Sequence, residues 1–277
     1  MNIADQAQAS VDAAVPATLI NLELYPIDRS PLGDRQRLVR RCRQQLAENG
    51  VCLLPNFLTP AATALMAAQA DEVVGESYRC DNTHNVYLEP DDASLPPDHP
   101  RRRPQRTHLR SVAYDQIIDG HALRSLYEWA PLTDFLAAAT SDVPMFRMGD
   151  PLAALTINVM AEGQNHGWHF DESETTITLM LQAPLQGGEF EYVPQLRAGG
   201  DEYGAVGEIL AGDTRAVRKL EATPGTLVMF EGHEALHRVS AVVGDVTRYV
   251  AVLCYKSEPG IRNSAEVQQL FYGRTAP

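Results

Sequence analysis

The second half of the chain consists of short runs rich in β-branched and aromatic residues, and this pattern restricts the fold more than any other feature. After residue 150 these runs read ALTINVM, TTITLMLQ, GEFEYV, GTLVMFEG, LHRVSAVV and TRYVAVLCYK, with Gly, Pro, Asn and Asp between them. Several short strands separated by turn residues predict a sandwich or a jelly-roll barrel. Helices do not alternate with these runs, so a doubly wound parallel sheet is disfavoured.

The first half predicts helices that flank this β core. Leu38, Cys42 and Leu46 fall on one apolar face of a helix that ends before Gly50. Thr59-Pro60 supplies the N-cap and first residue of a second helix. A third helix is predicted from about Gly120 to Ala139.

The remaining segments of the first half carry weaker signals. Residues 1 to about 18 lack caps and turns and predict a flexible tail. Residues 81–110 are dense in proline and charge, and they predict a long loop that lies over a site. We expect a single domain over residues 1–277, with the barrel core at about 150–260.

Composition limits the partners. The net charge is −13, and a surface this acidic repels phosphate backbones, so we expect no nucleic acid partner. The basic stretch at residues 101–110 predicts a solvated loop, with one inward-facing arginine that binds a substrate carboxylate as the alternative. The sequence does not fix the oligomeric state.

The N-terminus and the cysteines indicate the compartment. The first residues lack a basic segment followed by an apolar one, and no apolar run approaches the length of a membrane span. Cys42, Cys52, Cys80 and Cys254 form no C-x-x-C pair and predict free, buried thiols. We therefore expect a cytoplasmic protein that does not bind membranes.

The segment NHGWHFDESE contains the pattern that carries chemistry. His169 and Asp171 are two residues apart, so both side chains face the same side of a strand. His237 lies in a later strand-like run. Two histidines and one carboxylate are the facial triad that leaves open positions on Fe(II).

A second feature supports an oxygenase. Arg248 lies eleven residues after His237, at the start of a strand-like run, where it could pair with a carboxylate through two hydrogen bonds. The distal carboxylate of 2-oxoglutarate requires such a partner. Asn158, on the strand before the metal motif, is a further candidate donor to 2-oxoglutarate.

Beyond residue 80 the chain resembles the Fe(II)/2-oxoglutarate oxygenase superfamily, and most closely the free-amino-acid (lysine-type) radical halogenases and their hydroxylase relatives. The resemblance rests on HNVYLEP, DPLAALTINV, WHFD, TLMLQAPLQGGEFEYVP, PGTLVMFEG, HRV and FYGR. It implies a double-stranded β-helix (cupin) core, with Fe(II) as cofactor and 2-oxoglutarate and O2 as co-substrates. It also implies a small substrate, an amino acid.

One position separates the branches of that subfamily. The halogenases have Gly or Ala where this chain has Asp171, and the missing carboxylate leaves a position for chloride. The resemblance therefore implies a hydroxylase, with desaturation as the alternative. It also places His166, Glu172 and Tyr272 near the substrate, with Glu172 facing an ammonium group.

Other interpretations of the same residues remain open at this stage. Cys254 and Val252 replace the polar residues expected for lysine, which favours a less polar substrate side chain. A non-catalytic cupin that binds a metal or a small acid would use the same fold. An oxygenase acting on a peptide or protein side chain, or a zinc site, would use the same ligands.

Overall fold

The computed structural model describes residues 15–29, 33–140 and 143–277, and these residues form a β core with flanking helices. The helices are α1 Pro16–Leu19, α2 Asp34–Asn49, α3 Pro60–Val73, α4 Ala122–Glu128, α5 Ala130–Thr140, α6 Glu202–Leu210 and α7 Ala265–Tyr272. The strands are β1 Val51–Leu54, β2 Tyr78–His84, β3 Gln105–Val112, β4 Phe146–Arg147, β5 Leu155–Met160, β6 His166–His169, β7 Thr176–Gln182, β8 Gln186–Gly187, β9 Phe190–Val193, β10 Arg218–Leu220, β11 Leu227–Phe230, β12 Leu236–Val239, β13 Val242–Val243, β14 Arg248–Leu253 and β15 Tyr255–Lys256.

Two antiparallel sheets form the core. The major sheet has seven strands in the order β1-β11-β7-β14-β5-β3-β2, and the minor sheet has four in the order β10-β9-β12-β6. The pairs β13-β8 and β15-β4 are separate two-stranded sheets. The predicted mainly β fold with flanking helices, of double-stranded β-helix type, is therefore confirmed.

The strands do not close into one continuous barrel within the described residues. On one side, β6 of the minor sheet meets β3 of the major sheet without a continuous ladder, through an isolated bridge between His108 and Asn165 and a hydrogen bond from the Gly167 amide to the Thr107 hydroxyl. Gly167 lies so close to β3 that an added Cβ would come within 2.7 Å of the Arg106 carbonyl oxygen. The sheets thus converge along β3 and β6 and enclose a cavity between their inner faces.

Four predictions about the organisation of the chain need correction. Residues 81–110 are not one loop, because β2 and β3 form a hairpin that extends the major sheet and leaves only residues 85–104 as the connection. The core is therefore not confined to residues 150–260. Residues 16–18 are helical, whereas residues 1–14 of the predicted tail lie outside the described part.

The fourth correction concerns the helix predicted from Gly120 to Ala139. Two helices, α4 and α5, meet at Trp129, whose backbone is extended. Pro131 is the physical reason, because proline cannot donate the backbone hydrogen bond and its ring excludes a carbonyl one turn earlier. The helix that ends before Gly50 and the helix that starts at Pro60 are confirmed, and the Thr59 hydroxyl accepts a hydrogen bond from the Ala62 amide.

The basic stretch is a loop only in part, because Arg101, Arg102 and Arg103 precede β3 whereas Arg106 and Arg110 lie on that strand. Arg101 pairs with Glu89, and Arg102 pairs with Asp91. None of the arginines at residues 101–110 is among the described residues that line the central cavity. All four cysteines are free, and Cys254 alone is partly accessible. Within the described chain, no helix has both the length and the apolar character that crossing a membrane requires.

Helix α7 covers one end of the sheets and is fixed there by Asp150. The Asp150 carboxylate is 1% exposed and accepts four hydrogen bonds. One oxygen binds the amides of Leu152 and Ala153, and the other binds the Asn263 amide and the Gln268 side chain. This buried carboxylate therefore links the start of the core to the C-terminal helix.

We expect Asp150→Asn to lower the free energy of unfolding by about 1–3 kcal/mol, because the amide nitrogen would face two donors in a buried position. Urea unfolding measures the change. Asp98→Asn is the matched control, since the Asp98 side chain is exposed. Equal stability of the two variants would contradict a structural role for the buried carboxylate.

Candidate active site

The first predicted cluster comes together on the minor sheet. His169 ends β6, and its Cα partner across the ladder is His237 of β12. Asp171 follows β6 directly, and its Oδ1 lies 3.4 Å from His169 Nε2 and 3.5 Å from His237 Nε2. One ligand atom from each of the three residues lies within 4.8 Å of the others.

Hydrogen bonds fix which atoms of these side chains face one another. The Nδ1–H of His169 donates to the Gly167 carbonyl at 2.8 Å, and the Nδ1–H of His237 donates to the Ala235 carbonyl at 2.9 Å. Each bond places the ring proton on Nδ1 and leaves the Nε2 lone pair free. The Thr176 hydroxyl donates to Asp171 Oδ2 at 2.5 Å, so Oδ1 is the oxygen directed at the histidines.

The electrostatics favour a neutral histidine beside an ionised carboxylate. Burial lowers the pKa of His169, and the neighbouring His237 lowers it further. Burial raises the pKa of Asp171, but the adjacent His237 and His169 side chains outweigh burial and hold this pKa well below its usual range. These are the protonation states that a metal requires of its ligands.

The three donors therefore fit Fe(II). Two imidazole nitrogens and one carboxylate oxygen are the facial donor set of non-haem iron oxygenases. Zn²⁺ also accepts these donors, so the ligands alone do not select the metal. Gly232 makes room for the carboxylate, because a Cβ there would lie 2.3 Å from Asp171 Oδ2.

The cluster lies on the wall of the cavity between the sheets, which has a volume of about 160 Å³. Alternate residues of β5 and β14 face this cavity from the major sheet, as the period of a strand requires. They are Thr156, Asn158 and Met160 on β5, and Arg248, Val250 and Val252 on β14. The rest of the lining described here is mixed, with polar and apolar side chains in similar number.

Arg248 is a buried cation that faces this cavity. The residue is 5% exposed, its Nε has no hydrogen-bond partner, and within the described residues no carboxylate forms an ion pair with it. Burial lowers its pKa to about 10, which still leaves it charged at neutral pH. A Cβ added at Gly188, in the turn after β8, would lie 3.0 Å from the Arg248 Cδ. Glycine at this position therefore leaves room for the Arg248 side chain.

The structure brings the predicted substrate residues to the same cavity. The His166 ring stacks on His169 with centroids 3.9 Å apart, and its buried Nε2 has no partner. Glu172 is exposed at the cavity and accepts a hydrogen bond from the Ser264 hydroxyl at 2.9 Å. Tyr272 is 8% exposed, and its hydroxyl shares a hydrogen bond with Thr156 at 2.6 Å.

The sequence did not point to several further residues of the site. Ser111, Thr176 and Phe271 line the cavity, and the Phe271 ring packs edge-on against His166 at 5.5 Å. Ser111 escaped notice because its strand was predicted as a loop. The other two had no spacing signal, since their position depends on the pairing of distant strands.

Leu88 also lines the cavity, with an uncommon backbone conformation. Its φ is 57°, in the left-handed region that costs an L-residue about 1–2 kcal/mol. The Asn85 side chain fixes this turn, because it accepts from the Tyr87 and Glu89 amides and donates to the Glu89 carbonyl. Strain held in place at a cavity wall points to a functional position.

The fold matches those of solved oxygenases. A prolyl hydroxylase from Trichoplax adhaerens, solved with a hypoxia inducible factor peptide, matches with a TM-score of 0.55 at 14% identity, covering 80% of this chain and 90% of that one. AviO1 from Streptomyces viridochromogenes matches with 0.52 at 20% identity, covering 82% and 96%. A 2OG-Fe(II) oxygenase family oxidoreductase from Burkholderia pseudomallei matches with 0.50 at 18% identity, covering 83% and 94%. At these identities the likeness shows a shared fold.

The shared fold and the cluster of two histidines and one carboxylate together support Fe(II) as the metal, with 2-oxoglutarate and O2 as co-substrates. None of the curated proteins compared with this chain matches it. The family model described as HalD, Halogenase D, matches residues 34–271. This match spans most of the sequence, and the chain belongs to the Halogenase D family.

Proposed function

We propose that this chain is a cytoplasmic Fe(II)/2-oxoglutarate-dependent dioxygenase that hydroxylates an aliphatic C–H bond of a free amino acid or a similar small metabolite. One oxygen atom of O2 enters the C–H bond as a hydroxyl group, and the other enters succinate as 2-oxoglutarate loses CO2. The observation that carries the proposal is the Asp171 carboxylate, 3.4 and 3.5 Å from the Nε2 atoms of two histidines, in a cavity that also holds an unpaired Arg248.

In this proposal His169, Asp171 and His237 hold the iron. When bound, the metal activates O2 and supplies the oxidising power for attack on the C–H bond. The backbone orients the ligands, because the carbonyls of Gly167 and Ala235 accept hydrogen bonds from the two imidazole rings and restrict their rotation.

Arg248 and Asn158 are the proposed contacts to 2-oxoglutarate. A buried guanidinium without a counter-ion is costly, and the distal carboxylate of the co-substrate would supply the missing charge. Asn158 faces the cavity from β5, opposite Val250 of β14. Its side-chain amide is therefore on the same inner face of the sheet as Arg248 and can donate to a carboxylate oxygen.

The carboxylate of Asp171 favours hydroxylation over halogenation. A halide would need a coordination position of its own, and the Asp171 carboxylate, whose Oδ1 is directed at the two Nε2 atoms, would occupy one when the metal is bound. The Thr176 hydroxyl donates a hydrogen bond to the other oxygen, Asp171 Oδ2, and this bond fixes the carboxylate in its orientation. The name of the family therefore does not decide the reaction of this member.

The cavity supports a small substrate with an uncharged side chain. His166, Glu172 and Tyr272 are the proposed substrate contacts, with Glu172 facing an ammonium group at the mouth. Ser264 donates to Glu172 at 2.9 Å, and a substrate cation would bind the same carboxylate. Val250, Val252 and neighbouring apolar residues supply the rest of the wall.

Replacing His237 by Ala should abolish stoichiometric Fe(II) binding, because only two protein ligands would remain. The iron content after anaerobic reconstitution and gel filtration measures this effect. His233→Ala is the matched control, since that imidazole lies on the surface four residues away and bonds to Glu234. Full iron content in the His237 variant would remove this residue from the proposed metal site.

Arg248→Ala should raise the dissociation constant for 2-oxoglutarate by about 30-fold or more, which corresponds to the roughly 2 kcal/mol lost when a buried charge partner is removed. Anaerobic calorimetric titration of the Fe(II)-loaded protein measures the constant. Arg218→Ala, on the exposed side of β10, should leave it unchanged. An unaltered constant in the Arg248 variant would assign the co-substrate anchor to another residue.

The wild-type protein, given Fe(II), 2-oxoglutarate, O2, chloride and a panel of free amino acids, should form succinate at a rate that one amino acid stimulates. The matching product should gain the mass of one oxygen atom, as measured by mass spectrometry. A chlorinated product would overturn the assignment as a hydroxylase. Unstimulated succinate formation would place the substrate outside free amino acids, with peptides as the next class to assay.

A further inference from the structure

The cavity holds a concentration of buried polar atoms that have no partner. Within residues 15–29, 33–140 and 143–277, six buried side-chain nitrogen or oxygen atoms lack one, and three of these belong to residues that line this cavity. They are Ser111 Oγ, His166 Nε2 and Arg248 Nε. Proteins almost always satisfy such groups, so three in one cavity indicate that a ligand supplies their hydrogen-bond partners.

Ser111 is the one of the three without an assigned role. It is fully buried on β3, and its Cα partner on β5 is Asn158. Residues directly opposite each other in a sheet project to the same face, so the hydroxyl and the amide are neighbours. Both residues line the cavity.

His166 approaches the same place from the other sheet. Its neighbours in sequence are bonded to β3: Asn165 forms a bridge with His108, and the Gly167 amide donates to the Thr107 hydroxyl at 3.1 Å. The seam between β3 and β6 therefore brings His166 to the side of the cavity on which Ser111 lies. A hydroxyl, an amide and an imidazole thus offer several donors on one wall.

Arg248 lies elsewhere in the cavity. It faces Met160 in the ladder, two residues along β5 from Asn158, and its Cδ approaches Gly188 on the side away from β3. Strand spacing and rise separate the Cα atoms of Ser111 and Arg248 by roughly 12 Å. Two different carboxylates can therefore occupy the two positions.

Within the described residues, no carboxylate that lines the cavity pairs with the Ser111 hydroxyl. Of the lining residues, Asp171 and Glu172 are the acids within the described part of the chain. Asp171 is directed at the two histidines and Thr176, and Glu172 at Ser264. A wall that has donors and lacks facing acids is complementary to an anion with several acceptor atoms.

We propose that the Ser111 hydroxyl, with Asn158 and His166 beside it, binds a carboxylate that Arg248 does not hold. This inference rests on the proposed function, which assigns the distal carboxylate of 2-oxoglutarate to Arg248. The bound carboxylate belongs either to the amino-acid substrate or to the keto-acid end of the co-substrate, and the chemistry of recognition is the same.

Ser111→Ala tests the proposal in the full-length, Fe(II)-loaded protein under anaerobic conditions. Calorimetric titration is performed with 2-oxoglutarate, and then, in its presence, with the amino acid that most stimulates succinate formation by the wild type. We expect at least one of the two dissociation constants to rise about tenfold, which corresponds to about 1.4 kcal/mol. Which constant rises identifies the source of the carboxylate, and Ser111→Thr should restore most of the affinity.

Thermal unfolding of the ligand-free proteins distinguishes binding from structure. Ser111→Ala removes an unpaired hydroxyl and should unfold at the wild-type temperature or above. Thr107→Ala is the matched control, because that buried hydroxyl on the same strand is bonded to His84 and to the Gly167 amide, and its loss should lower the unfolding temperature.

Two outcomes overturn the proposal. One is that Ser111→Ala binds both 2-oxoglutarate and the amino acid as tightly as the wild type does. If no amino acid stimulates the wild type, unchanged affinity for 2-oxoglutarate is sufficient. The other is a loss of stability in Ser111→Ala comparable to that of Thr107→Ala. Failure of the wild type to bind Fe(II) and 2-oxoglutarate would instead overturn the proposed function, so the two failures are distinguishable.

Discussion

The pairing of β6 with β12 is the interaction on which the rest of the site depends. It sets His169 opposite His237, although the two residues are far apart in sequence. The carbonyls of Gly167 in β6 and of Ala235, the residue before β12, then accept the Nδ1 protons, so the backbone at this ladder orients both rings and selects their tautomer. Asp171 reaches the pair because its own amide bonds to the Gly232 carbonyl just before β12.

Much of this arrangement could be predicted from local sequence. The two-residue spacing of His169 and Asp171 predicts side chains on one side, and Arg248 stands at the start of a strand as expected. His166 is different, because it lies three positions before His169. In a regular strand, two side chains at that spacing point to opposite faces. The register of β12 against β6 shifts at this point, which allows both rings to face the cavity.

The hairpin of β2 and β3 could not be predicted in the same way. Its residues are rich in charge, and proline fills the connection, so the local signal is that of a loop. Pairing with β5 and ion pairs such as Arg106 with Asp81 stabilise the strands instead. Contacts between segments that are distant in sequence therefore place Ser111 on a strand. That strand forms one wall of the cavity.

Leu88, on the wall of the cavity, has a backbone conformation that affects how the site can evolve. Most changes to a binding site trade stability for new specificity, but this residue is in a conformation that costs an L-amino acid free energy. Exchange for glycine or asparagine would relieve that strain while it reshapes the entrance. A lineage can therefore explore new substrates at this position without first accumulating stabilising substitutions elsewhere.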